Sequence, residues 1–284
     1  MMAIMNVLIK LLLAIALAPL ASGLITKIKN NLRLRRGPDI LQPYRNLWKL
    51  FGKEEIVPEN SSWIFRVTPF VVLATSVTAV LLLPLTPLGP GLGRVGDLLA
   101  IIFILALGRF FLALAALDAG SSFGGIGSSR EMFISSYVEP AACLVIFALY
   151  LAPGPLWSVA HLLAGAALLI VVLAETSRLP VDNQETHLEL TMVHEAMLLD
   201  YSGPSLALLE LSAQIKQLFW LCWLVGIVCP LAVLPYAVCL LILVLVIALI
   251  EVGIAKYRLF KVPDLIVFSV ILALLAVVSA LLGV

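Results

Sequence analysis

Apolar residues along this chain run in long stretches separated by polar segments. A helix that crosses a bilayer needs ~20 such residues, because each adds ~1.5 Å across a hydrocarbon core ~30 Å thick. Stretches of that length fall at roughly 7–25, 69–88, 95–117, 133–151, 156–174, 208–230, 233–252 and 262–283. The pattern predicts an all-α integral membrane protein with about eight transmembrane helices in one polytopic domain over 1–284. The first run is long for a signal peptide, holds Lys10 inside it and is followed by no clean small-residue cleavage site, so it reads as a retained helix. In the polar segment after it, Leu41, Leu47, Trp48, Leu50 and Phe51 stand among charges and predict an interfacial amphipathic helix.

Composition narrows the function classes. The chain is 62% hydrophobic and 12% charged, with a mean hydropathy of +1.13, against about 25% charged residues in ordinary globular proteins. A net charge of +1 excludes a nucleic-acid binder held by bulk positive charge. Cys143, Cys222, Cys229 and Cys239 lie in apolar stretches without a CxxC pair, so neither a disulfide framework nor an iron–sulfur site is expected. The three histidines are scattered. No metal or cofactor is expected in this chain.

Basic residues set the orientation. Lys27, Lys29, Arg33, Arg35, Arg36, Arg45, Lys49, Lys53 and Arg66 follow the first span, and Arg130, Arg178, Lys256, Arg258 and Lys261 fall in alternate loops on the same side. The opposite side offers Arg94 alone. By the positive-inside rule both termini face outward, and loops 26–68, 118–132, 175–207 and 253–261 face the cytoplasm.

Loop 175–207 is unusual for that side. Glu175, Asp182, Glu185, Glu189, Glu195 and Asp200 are set against Arg178 alone. Asp182 and Glu185 have the spacing of a helix-capping pair, predicting a helix with Glu185, Glu189, Met192 and Ala196 on one face. Ionisable residues also enter the spans: Arg109, Asp118, Glu139, Glu175, Glu210, Lys216, Glu251 and Asp264. Such groups are costly in lipid and mark ion or proton paths, although ion pairs to Arg109 or Arg178 would make some of them structural. For Glu251 and Asp264 a satisfied pair or a headgroup contact is the simpler expectation.

Other motifs fail on spacing. His194-Glu195 begins an HExxH, but position 198 is leucine. His187 and His194 are two helical turns apart, ~10 Å, too far to share an ion. Gly124 through Arg130 lacks the lysine of a P-loop and reads as a flexible hinge between the third and fourth spans.

Arg36-Gly37-Pro38, Leu41-Gln42-Pro43 and Trp48-Lys49-Leu50 are similar to the first-loop signature of the subunit-1 family of respiratory complex I and its relatives in membrane-bound [NiFe] hydrogenases. Glu175, Arg178, Pro180, Asp182, Glu185 and Glu189, then Tyr201-Ser202-Gly203, resemble that family's acidic loop, and Glu210 sits where the family has a glutamate opening helix six. Leu188 through Met192, His194 through Met197, Phe123 through Arg130, and Glu139-Pro140 resemble the hydrogenase branch. The resemblance implies a membrane-anchoring and ion-coupling subunit of a prokaryotic inner-membrane oxidoreductase of the formate hydrogenlyase type. Glu139, Glu175, Asp182, Glu185, Glu189, Glu210 and Lys216 would couple electron transfer to proton or sodium movement. Arg36, Arg45, Lys49, Arg178, His194, Glu195 and Asp200 would dock the soluble arm. Partners implied are a [NiFe] large subunit, an iron–sulfur small subunit and antiporter-like membrane subunits, with the [NiFe] centre and clusters held by those partners. Alternatives are the quinone-site subunit of complex I and a free-standing secondary transporter.

Overall fold

The computed structural model describes residues 2–83, 97–152, 158–183, 192–229 and 232–283. Among these residues the regular structure is helical: α1 (Met2–Leu32), α2 (Gln42–Phe51), α3 (Trp63–Leu82), α4 (Asp97–Asp118), α5 (Ser122–Leu151), α6 (Val159–Glu175), α7 (Gly203–Val228), α8 (Val233–Gly253) and α9 (Val262–Leu282). Seven of them are long and apolar enough to cross a bilayer. The eighth expected span is α6, 17 residues long, at the short end of what spans. The chain is a multi-pass membrane protein. α2 is the amphipathic helix of the first loop, burying Leu47 and exposing Trp48.

α7 lies inside the bundle, packed against α1, α3, α6 and α8, while α9 covers α5 and α6. Small residues (Ala18, Ala79, Ala141, Ala164, Ala167 and Ala273 among them) line the contacts. They let helix backbones approach closely, the main source of association once apolar burial loses its advantage in lipid. Pro19, Pro69 and Pro140 sit inside helices, where neighbouring helices offset the lost backbone bonds.

Several helices extend beyond their apolar cores into what the sequence assigns to loops. α1 runs on to Leu32, α5 starts at Ser122 and α7 at Gly203. The glycine-rich hinge is therefore corrected: residues 124–130 are the first turns of α5, capped by Ser121, whose hydroxyl accepts from the Gly124 amide at 3.1 Å. Gly127 is needed for room rather than for motion. A Cβ there would stand 2.9 Å from the Ala196 Cβ and 3.0 Å from the Val193 carbonyl oxygen.

The helix expected from Asp182 is corrected at its far end: residues 192–194 are not helical, and Glu195–Met197 forms a 3-10 turn; the stretch that holds Glu185 and Glu189 lies outside the described residues. The Asp182 carboxylate instead accepts from the amides of Asn183 (2.8 Å), Val193 (3.1 Å) and His194 (3.4 Å), holding the two ends of the loop together. The remaining loops gather at this same end of the bundle. The Ser62 amide and hydroxyl donate to Asp118 at 2.8 and 2.9 Å, and Ser121 donates to Asp200. Ser202 exchanges hydrogen bonds with the Ile56 backbone at 2.8 and 3.1 Å, and the Tyr257 amide donates to the Pro180 carbonyl at 2.9 Å. Gly203 has a left-handed φ of 53°, and a Cβ on it would lie 2.7 Å from the Glu54 carbonyl. Only glycine fits both demands.

Candidate functional site

At the loop end of the bundle, Arg109 of α4 is the hub of a buried charge network. Its Nη1 donates to Glu139 of α5 at 2.9 Å and its Nη2 to Glu175 at the end of α6. Glu131, two helical turns before Glu139 on α5, lies 3.6 Å from the Arg109 Nε. Lys216 of α7 approaches Glu175 from the other side at 3.8 Å. The planar guanidinium suits this position, because it presents several donors at fixed angles to several carboxylates. Arg109 and Glu175 are nearly sealed from solvent, with side chains 7% and 4% exposed, and burial on that scale is tolerable only when charges are paired.

Beside the hub is a cavity of about 360 Å³ between α1, α6, α7 and the acidic loop, bordered by Glu175, His194, Glu195, Tyr201, Glu210 and Lys216. Gln214 and Gln217 also border it, and the Gln214 Oε1 and Gln217 Nε2 are buried without a protein hydrogen-bond partner. These groups and the volume are sufficient to accommodate water. The loop supplies titratable groups to the cavity border. Burial, with Glu210 and Asp182 nearby, pushes the Glu195 carboxyl up to about 7. Burial lowers His194 below the ordinary histidine range, which keeps the ring neutral. Tyr201 is raised by burial; its ring stacks on Phe65 at 4.0 Å and its hydroxyl donates to the Phe65 carbonyl at 3.0 Å.

A second buried cluster ties the loop to α1 and α8. Glu251 of α8 is bonded by Arg178 and lies 2.8 Å from Lys29, and Arg33 donates to the Glu251 carbonyl at 3.2 Å. Asp182 is paired with Lys256 at 2.6 Å. Glu251 forms the satisfied ion pair that its sequence allowed. One expectation is corrected: Arg178, expected to dock a soluble partner, is 5% exposed and turned inward. His194 and Glu195, also expected on the docking surface, border the cavity. Asp200 is half-buried against Ser121. Arg36, Arg45 and Lys49 are exposed, Arg45 lying 3.2 Å from Asp39, and Asp264 is exposed at the start of α9.

Of the residues read as ion-coupling, Glu139, Glu175, Glu210 and Lys216 are brought together around the hub and cavity, while Asp182 stands at the loop base. Glu131, Lys29 and Lys256 were missed because each lay in a segment read as a solvated loop. The eight-residue spacing of Glu131 and Glu139 puts both on one helical face and would have signalled the first, had α5 been extended backward. Around hub and cavity stand Glu131, Glu139, Glu175, Glu195 and Glu210 against Arg109 and Lys216. Five carboxylates thus stand beside two cations. Among the described residues no group of three or more His, Cys, Asp or Glu is disposed to hold a metal ion.

Comparison with known proteins identifies the family. A family model described as NADH dehydrogenase matches residues 4–282. Formate hydrogenlyase subunit 4 of Escherichia coli is 33% identical over 99% of both chains, and hydrogenase-4 component C of the same organism is 37% identical over 71% of this chain and 67% of its own. NADH-ubiquinone oxidoreductase chain 1 of Mycosarcoma maydis is 29% identical over 66% of this chain and 62% of its own. In three dimensions the chain superposes on a chain of the membrane-bound sulfane sulfur reductase, an archaeal respiratory membrane complex, with a TM-score of 0.84 at 20% identity, covering 99% of this chain and all of that one. The chain belongs to the NADH dehydrogenase subunit 1-like family, which also holds the formate hydrogenlyase and hydrogenase-4 membrane components.

Proposed function

We propose that this chain is the membrane-anchoring and ion-coupling subunit of a hydrogenase-type oxidoreductase complex in a prokaryotic inner membrane, its loop end facing the cytoplasm. It carries no redox group itself. A soluble arm, comprising a [NiFe] large subunit and an iron–sulfur small subunit, docks over the first and acidic loops, and antiporter-like subunits flank the bundle. The full-length match to formate hydrogenlyase subunit 4 supports the hydrogenase assignment. The observation that carries the coupling is the carboxylate surplus around Arg109, placed directly beneath the acidic loop.

The coupling is electrostatic. When a nearby cluster in the arm gains an electron, negative potential raises proton affinity in the cavity, and Glu195 and Glu210 take up protons first. Protons then pass to Glu175 and Glu139, where Arg109 and Lys216 limit how many stay. Release occurs laterally toward the partner membrane subunits. The likeness to formate hydrogenlyase subunit 4 favours protons over a quinone as the terminal acceptor in this reading.

The test is isosteric. Glu210→Gln and Glu175→Gln retain shape and remove charge. In membrane vesicles holding the assembled complex, driven by reduced ferredoxin, both variants should lose ion movement while viologen-linked hydrogenase activity of the arm persists. Full ion movement in both variants would make the carboxylates scaffolding. Copurification without iron–sulfur partners would defeat the assignment itself.

A further inference from the structure

The cavity ends against a second void of about 30 Å³ between α3, α4 and α7, bordered by Thr75, Ser76, Arg109, Glu131 and Ser212. That volume holds about one water. His194, Lys216, Leu198 and Ala213 border both spaces. Two of these four are polar, and of those Lys216 is a cation held toward Glu175. His194 alone can take a proton on one atom and release another from a different atom near neutral pH.

Its surroundings suit that use. The His194 backbone amide is fixed on the Asp182 carboxylate at 3.4 Å, so the ring is mounted on the base of the acidic loop. Its Nδ1 is buried and has no hydrogen-bond partner, and the Arg109 Nε is likewise without one. His194 and Arg109, each with a buried nitrogen that makes no hydrogen bond, border a void sized for a single water, the Arg109 Nε lying 3.6 Å from Glu131. The Thr75 and Ser76 hydroxyls donate to the Val72 carbonyl at 3.0 and 2.9 Å, which leaves their oxygens able to accept from that water.

We propose that His194 is a proton relay joining the loop cavity to the water-sized void beside Arg109, and so delivering protons to Glu131, the carboxylate of the network that borders the void and not the cavity. This rests on the ion-coupling reading above and names the entry step. A proton from the cavity water binds one ring nitrogen to give the imidazolium. The proton on the other nitrogen then leaves to the void water and on to Glu131. One proton enters, one leaves, no electron moves, and the ring is neutral again as the other tautomer; rotation of the ring resets it. The groups facing it are Glu131 from α5, Lys216 from α7, Arg109 from α4, Glu175 at the end of α6 and Asp182 from the loop. Burial, Lys216 and Arg109 hold the ring neutral at rest, and Glu131 and Asp182 favour its transient charging.

In vesicles holding the whole complex, His194→Gln, His194→Asn and His194→Ala are compared with Glu210→Gln, using dye-reported proton movement and viologen-linked activity. The histidine variants should slow proton movement about a hundredfold, the low end for a positioned acid–base group, with viologen-linked activity intact. Added imidazole should restore movement in His194→Ala but leave Glu210→Gln unchanged. Normal movement in the histidine variants with loss in Glu210→Gln overturns the relay and leaves the coupling reading standing. Normal movement in all four overturns both. Absence of imidazole rescue, or failure of every histidine variant to assemble, assigns His194 to packing and overturns the relay.

Discussion

Arg109 and Glu175 are 66 residues apart in the chain, yet the guanidinium of one donates directly to the carboxylate of the other inside the bundle. The contact fixes α4 against the end of α6 and brings Glu139 and Glu131 to the same cation. Removing that cation leaves several buried carboxylates without their counter-charge. Arg109→Gln should therefore lower stability by about 3–5 kcal/mol, the cost typical of breaking a buried pair from one side. Arg109→Lys should recover only part, since a single ammonium cannot reproduce the fork. Thermal unfolding of the detergent-purified protein measures both.

Two neighbouring glycines of α5 should respond oppositely. Gly127→Ala puts a Cβ against the Ala196 Cβ and the Val193 carbonyl and should cost about 1–3 kcal/mol through overpacking. Gly125→Ala meets only the Leu117 Cδ2 at 3.9 Å, an ordinary contact. It should be neutral or stabilising by up to ~1 kcal/mol from helix propensity. The same unfolding measurement separates the pair.

The acidic loop should loosen as pH rises. Glu195 is raised from 4.5 to about 7, so the packed loop favours the protonated carboxyl. That contribution is complete below the ordinary glutamate value and is lost as pH climbs through about 7. Amide exchange of residues 196–201, corrected for intrinsic rates, should show falling protection across that window. Glu195→Gln should flatten the dependence.

The Arg178–Glu251 pair should be strongly non-additive. Each single change to glutamine leaves a buried partner charge, with Lys29 compensating only in part. A double-mutant cycle should return a coupling energy within about 0.5–3 kcal/mol. A value near zero would mean that Lys29 and Arg33 carry the site alone.

Quinone-site inhibitors of complex I should leave hydrogen evolution by the assembled complex unchanged if protons are the terminal acceptor. Stoichiometric quinone reduction by the purified complex would instead favour the complex I reading.

The spans were legible because lipid leaves one solution for a long apolar run, and α2 because its apolar residues stand among charges. The glycines from 124 to 130 were misread for a physical reason: glycine serves loose hinges and tight contacts alike, and only the neighbour decides. Gly127's neighbour, Ala196, is far along the chain in a segment that looked helical. Glu175, Glu210 and Lys216 stood out because charge in an apolar stretch is expensive. Glu131 did not, sitting beside Arg130 in a segment that looked wet. That Arg178 and His194 face inward follows from Glu251 and Asp182, partners no local pattern reveals.

Asp182 grips Val193 and His194 across the loop, and this has a consequence for how such proteins can diversify. Chain length inside the grip is nearly free: by loop-closure entropy, doubling the number of residues between the two gripped ends adds only about 0.6 kcal/mol. Chain length outside it is not. One residue inserted between His194 and Tyr201 would shift Glu195 off the cavity and Tyr201 off Phe65. Length changes that keep Glu195 at the cavity and Tyr201 on Phe65 are therefore confined to positions between 183 and 192.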